Sequence, residues 1–129
     1  MARIEKFEDI DSWKAAREAT KLVYSVSSLG MFAKAFALCN QIRRAAVSIV
    51  SNIAEGFERD GNKEFLQFLA IAKGSCGEVR AQLYVALDQK YIDEKQFAEI
   101  SNKLAETSRL ISGFMKYLQQ SELRGNKFK

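Results

Sequence analysis

The chain of 129 residues contains no histidine and no proline. The missing histidine removes the side chain that most often moves protons near neutral pH, and with it the commonest transition-metal ligand. No enzymatic role, catalytic residue, metal or cofactor is expected. The missing proline removes the strongest interrupter of helices, and only seven glycines punctuate the chain. Two cysteines, Cys39 and Cys76, are too few for a disulfide framework, and both are expected to be reduced and partly buried. No apolar run approaches the roughly 20 residues that span a bilayer, and the first residues lack the apolar block of a signal peptide. A soluble, cytoplasmic chain without membrane contact is the expectation.

What is present is apolar matter at helical spacing. With 47% hydrophobic residues the chain suits one domain over 1–129 with a single core. Four helices are predicted, at about 12–29, 32–58, 62–90 and 94–120, followed by a polar tail over 122–129. The first starts after Asp11 or Ser12 as N-cap, carries Trp13, Ala16, Thr20, Val23 and Ser27 on one face, and stops at Gly30. The second buries Leu38, Ile42, Ala45, Ile49, Ile53 and Gly56. Asp60, Gly61 and Asn62 make a turn, and the third helix then buries Phe65, Leu69, Ala72, Cys76, Val79, Leu83 and Ala86. Asp93 and Gln96 form a capping box for the fourth, whose stripe runs Phe97, Ile100, Leu104, Thr107, Ile111, Phe114 and Leu118. Short connections force neighbours to lie antiparallel, so the fold class is all-α, an antiparallel up-down-up-down four-helix bundle.

The third helix has a second face. Leu66, Ala70, Gly74, Gly77, Ala81 and Tyr84 recur at steps of three and four opposite the core stripe. Glycine inside a helix costs roughly 1 kcal/mol relative to alanine, so two in one span suggest that another backbone approaches. The second helix offers a weaker counterpart in Phe36, Val47, Val50, Ala54 and Phe57. More apolar surface than a monomer can bury predicts a homo-oligomer, with the row on the third helix as its interface.

The stretch from Gln41 to Gly56, QIRRAAVSIVSNIAEG, resembles the signature of the four-helix-bundle proteins encoded in 23S ribosomal RNA intervening sequences. Glu64-Phe65, Phe68-Leu69, Ala72 and Ser75 to Glu78 extend the likeness, which runs from about Phe7 to about Leu118. The resemblance implies a ring of five subunits and an association with ribosomal RNA insertions. Distant relatives are accessory subunits of reverse transcriptases in diversity-generating retroelements, where they bind the enzyme and nucleic acid. It further implies that Ser48, Asn52, Glu55, Ser75 and Glu78 form one shared polar network. From their chemistry alone, Glu55 and Glu78 are a carboxylate pair, two ligands of a divalent metal, or flank residues that pair with Arg44 or Arg59, the last being the favoured reading.

The charge is modestly basic, +4 with a pI near 9.1. Arg43 and Arg44 stand in tandem, Arg59 and Lys63 bracket the turn, Lys73 and Arg80 share a flank, and Lys14, Arg17 and Lys21 make a further row. Repeated around a ring, such patches build a positive surface for phosphates. From composition alone these are solvated helix faces balanced by Glu18, Glu58, Glu64 and Glu78; the family resemblance is what makes Arg43, Arg44, Arg59, Lys63, Lys73 and Arg80 the expected nucleic-acid contacts, with RNA or DNA as partner. A scaffold that presents its surface to another protein, with charge serving only solubility, is the alternative. The sequence holds no aromatic platform, Gly-rich phosphate loop or zinc spacing of the known RNA and DNA readers.

Overall fold

The apolar stripes turn inward almost residue for residue. A computed structural model describes residues 4–123 of the chain. Its helices are α1 (Asp11–Ser27), α2 (Gly30–Lys34), α3 (Phe36–Glu58), α4 (Asn62–Asp88) and α5 (Glu94–Leu123), preceded by one 3-10 turn at Phe7–Asp9. The fold is all-α, with no strand among the described residues. All seven stripe residues of α4 are buried, as are Ile42, Ala45, Ile49, Ile53 and Gly56 of α3. On α5 only Phe97 of the stripe is half-buried; Ile100 through Leu118 are closed off. None of the described helices is long and apolar enough to cross a membrane.

Each long helix packs against two others: α3 on α1 and α4, and α5 on α4 and α1. The residue pairs give the directions. Ser48 meets Ser75 while Gly56 meets Phe65 and Phe68, so advancing along α3 retreats along α4. Thr20 reaches Ala46, whereas Ser27 reaches Arg43, which runs α1 against α3. Tyr84 packs on Phe97 and Phe65 on Phe114, which does the same for α4 and α5. The hydroxyls of half-buried Thr20 and buried Thr107 are satisfied by carbonyls one turn back in their own helices, which is how a polar residue sits in an apolar stripe.

The turns explain themselves locally. Asp60 adopts φ +61°, a left-handed conformation that aspartate tolerates, and Gly61 leads into α4. At the start of α5 the backbone N–H of Asp93 donates to Gln96 Oε1 at 2.9 Å and that of Gln96 donates to Asp93 Oδ1 at 2.7 Å, the reciprocal pair of a capping box.

Two boundaries differ from the expectation. The predicted helix over 32–58 is broken at Ala35 (φ −86°, ψ 75°), which separates α2 from α3. The physical reason is Phe32: fully buried and stacked on Tyr91 at 5.5 Å, it pins α2 to the far end of α4 while α3 follows α1. Gly30 does not end α1. That helix stops at Ser27, and Gly30, at φ +52°, opens α2 instead. Its N-terminus also lacks a side-chain cap, because Ser12 lies inside the helix with its hydroxyl buried. Of the predicted tail 122–129, the helix takes in residues 122 and 123, and the remainder lies outside the described residues.

Candidate nucleic-acid interface

The signature stretch is foremost the contact between α3 and α4. Gly56 is buried where a Cβ would stand 2.7 Å from Phe68 Cβ and 2.8 Å from Phe65 Cδ1. Only glycine lets the helices approach this closely. Two turns earlier, Ser48 and Ser75 share a hydrogen bond of 2.9 Å across the seam, and Asn52 Nδ2 donates to both the Ser48 carbonyl and its hydroxyl. Ser75 is buried, so this bond also satisfies a hydroxyl withdrawn from water. Glu55 and Glu78 stand apart from the trio. Both are exposed: Glu55 pairs with Arg59, just past the end of α3, at 2.9 Å, and Glu78 accepts from Gln82 of its own helix at 3.4 Å. The five residues therefore make one three-membered cross-helix cluster and two separate surface pairs. Among the described residues no group of three or more acids and cysteines stands together as a metal cage.

The six basic residues divide into engaged and free. Arg43 donates from Nε to Ser27 Oγ at 2.8 Å and from Nη2 to Ser28 Oγ at 2.9 Å, and its guanidinium lies 4.5 Å from the centre of the Tyr24 ring. It is thus fixed at the C-terminus of α1, where the helix dipole favours a cation. Arg59 is held by Glu55 and lies over Phe68 at 5.0 Å. Arg44, Lys63, Lys73 and Arg80 are exposed and form no ion pair among the described residues. Lys73 and Arg80 lie near the buried Cys76. Burial pushes that thiol up to about 11, against the pull of Arg80 and Lys73 toward the thiolate. Cys76 and Cys39 are both free and buried. Of the other basic row, Arg17 lies over Trp13 and Lys21 pairs with Glu18.

The outer row of α4 is open. Ala70, Gly74, Gly77, Ala81 and Tyr84 are exposed, and a Cβ added at Gly74 or Gly77 would meet nothing within 4 Å. Leu66 instead tucks against the core. Of the counterpart on α3, Val50 and Phe57 pack inward while Phe36 and Val47 stay exposed, joined by Leu29 and Met31 around α2.

A sequence model of the 23S rRNA-intervening sequence protein family matches residues 8–113. The chain belongs to that family. Its fold is similar to a crystal structure from Bacteroides thetaiotaomicron, described as a protein with unknown function from the S23 ribosomal protein family. The two share 26% identity and a TM-score of 0.74, over 81% of this chain and 95% of the other. No curated protein matches the chain. In this family member the stretch Gln41–Gly56 thus carries a packing role visible in Ser48, Asn52 and Gly56.

Two features escape the sequence reading. Tyr24 of α1 joins Arg43 of α3, and periodicity carries no signal for a partner on another helix. A cleft of about 490 Å³ opens between α1 and α5, lined by Ile10, Leu110 and Phe114, with Asp9, Asp11 and Arg109 beside them.

Proposed function

We propose that the protein is a non-enzymatic, ring-forming homo-oligomer that binds RNA as an accessory protein in the cytoplasm. In this reading the antiparallel helix pairs close into a single-domain, up-down-up-down four-helix bundle, and the ring has five subunits, as the family resemblance implies. The observation that carries it is the solvent side of α4. Among the described residues, Gly74 and Gly77 forgo a Cβ for no neighbour, and Lys73 and Arg80 on the same helix are exposed and form no ion pair. A second copy supplies what approaches the glycines, and repetition around the ring multiplies the free cations into a phosphate-binding surface.

Light scattering on the size-fractionated protein, with and without a structured RNA at low and moderate salt, tests both halves. A ring mass and a salt-sensitive complex are expected. Gly77→Leu should lower the mass; a variant with unchanged mass removes this face from the interface. A protein scaffold is the second reading, favoured by the engagement of Arg43 and Arg59 within the chain. A ring that ignores RNA at low salt would establish it over the first.

A further inference from the structure

We propose that Tyr24 and Arg43 form a base-stacking platform which, with Arg44 and Asn40, holds a nucleotide of single-stranded RNA. The inference rests on the RNA-binding reading and names the form of nucleic acid that this site takes. The platform exists only because α1 and α3 meet. Tyr24 leaves 41% of its surface in solvent, and the Arg43 guanidinium lies 4.5 Å from its ring centre. A floppy arginine would be a poor surface for stacking. Here two hydroxyls fix it, Ser27 Oγ at Nε and Ser28 Oγ at Nη2, and Ser27 is itself fully buried.

Both partners of Arg43 are neutral, so its charge is oriented without being cancelled, and an arginine has five N–H donors of which these bonds use two. The remaining edge stays available for a phosphate or a base edge. Beside it, an open depression of about 730 Å³ is lined by Tyr24, Asn40, Arg43, Arg44, Val47 and Ser48. Arg44 and Asn40 are exposed there and carry no ion pair or hydrogen bond from a side chain among the described residues.

The chemistry matches a nucleotide part by part. An aromatic ring backed by a guanidinium takes the face of a base. The exposed Arg44 takes its phosphate, and the Asn40 amide takes the polar edge. An acidic peptide would use the two arginines and leave the exposed ring without a role. A duplex keeps its base faces stacked on one another, so the platform selects unpaired strands.

Fluorescence anisotropy with a short labelled oligoribonucleotide, single-stranded or annealed to its complement, tests the assignment on the full chain. The wild type should prefer the single strand. Tyr24→Leu should weaken single-strand binding roughly tenfold while leaving the salt dependence unchanged, because it removes stacking and no charge. Tyr24→Phe should restore binding, which separates loss of the ring from a folding defect. Arg44→Ala should flatten the salt dependence by about one phosphate contact. If Tyr24→Leu binds as tightly as wild type, or the duplex binds as well as the single strand, the platform is overturned while charge-driven RNA binding stands. If the wild type binds neither oligonucleotide at low salt, both readings fall.

Discussion

Gly56 and Gly74 are the same residue type inside long helices, yet they face opposite sides of one helix pair. At Gly56 the missing Cβ is filled from within the chain by Phe68 and Phe65. At Gly74, and one turn on at Gly77, there is open space. A helical glycine costs roughly 1 kcal/mol relative to alanine. On the inner seam that cost is offset by the close approach of α3 and α4. On the outer face nothing among the described residues offsets it. The difference teaches that identical residues report different things, an internal contact in one case and room for an external one in the other.

The comparison breaks most sharply at Gly56. Gly56→Ala places a methyl group against the rigid Cβ of Phe68, and the seam must open; a loss of about 2–3 kcal/mol is expected, read as a lowered urea midpoint. If Gly56→Ala is as stable as wild type, the close approach has no energetic weight.

The next effect belongs to the inner side of α4, at Cys76. Its folded pKa of about 11 lies above the ordinary value of 9.0, so between these pH values the unfolded chain has lost a proton that the folded chain keeps. Stability contributed by the buried thiol is intact below pH 9 and is lost as the pH rises toward 11, in total about 2–3 kcal/mol at 1.36 kcal/mol per unit. Comparing wild type with Cys76→Ala by denaturation at a series of pH values isolates this slope, and equal slopes in the two proteins would contradict it.

Ser75→Ala removes one side of the cross-seam bond but leaves Ser48 bonded to Asn52, so only about 1 kcal/mol should go. Smallest, and opposite in sign, is Gly74→Ala. With no neighbour to meet, the methyl group should stabilise the isolated chain by about 0.4–1 kcal/mol, checked by thermal denaturation at concentrations where the protein is monomeric. A destabilised Gly74→Ala monomer would erase the distinction between the two faces.

Much of the fold is legible along the chain because helical burial is periodic. Seven residues of α4 and six of α5 recur at three and four and are buried as the period demands. The Asp93–Gln96 box is equally local, since both partners lie within one turn. The break at Ala35 is not legible, because neither proline nor glycine marks it; it follows from Phe32 stacking on Tyr91, which is remote in sequence. The basic set is half legible. Charge and exposure single out Arg44, Lys63, Lys73 and Arg80, but the fixing of Arg43 by Ser27 and Ser28 depends on where α1 ends beside α3.

The sequence by itself determined the helices, their buried faces, the turns at Asp60 and Asp93, and the family, because propensity, capping and periodicity act within a few residues. Only the tertiary structure decided that Gly56 is filled while Gly74 is empty, that Ser48 finds Ser75 while Glu55 and Glu78 stay apart, and that Arg43 lies on Tyr24. Those outcomes depend on which helix flank faces which neighbour, and no one segment carries that information.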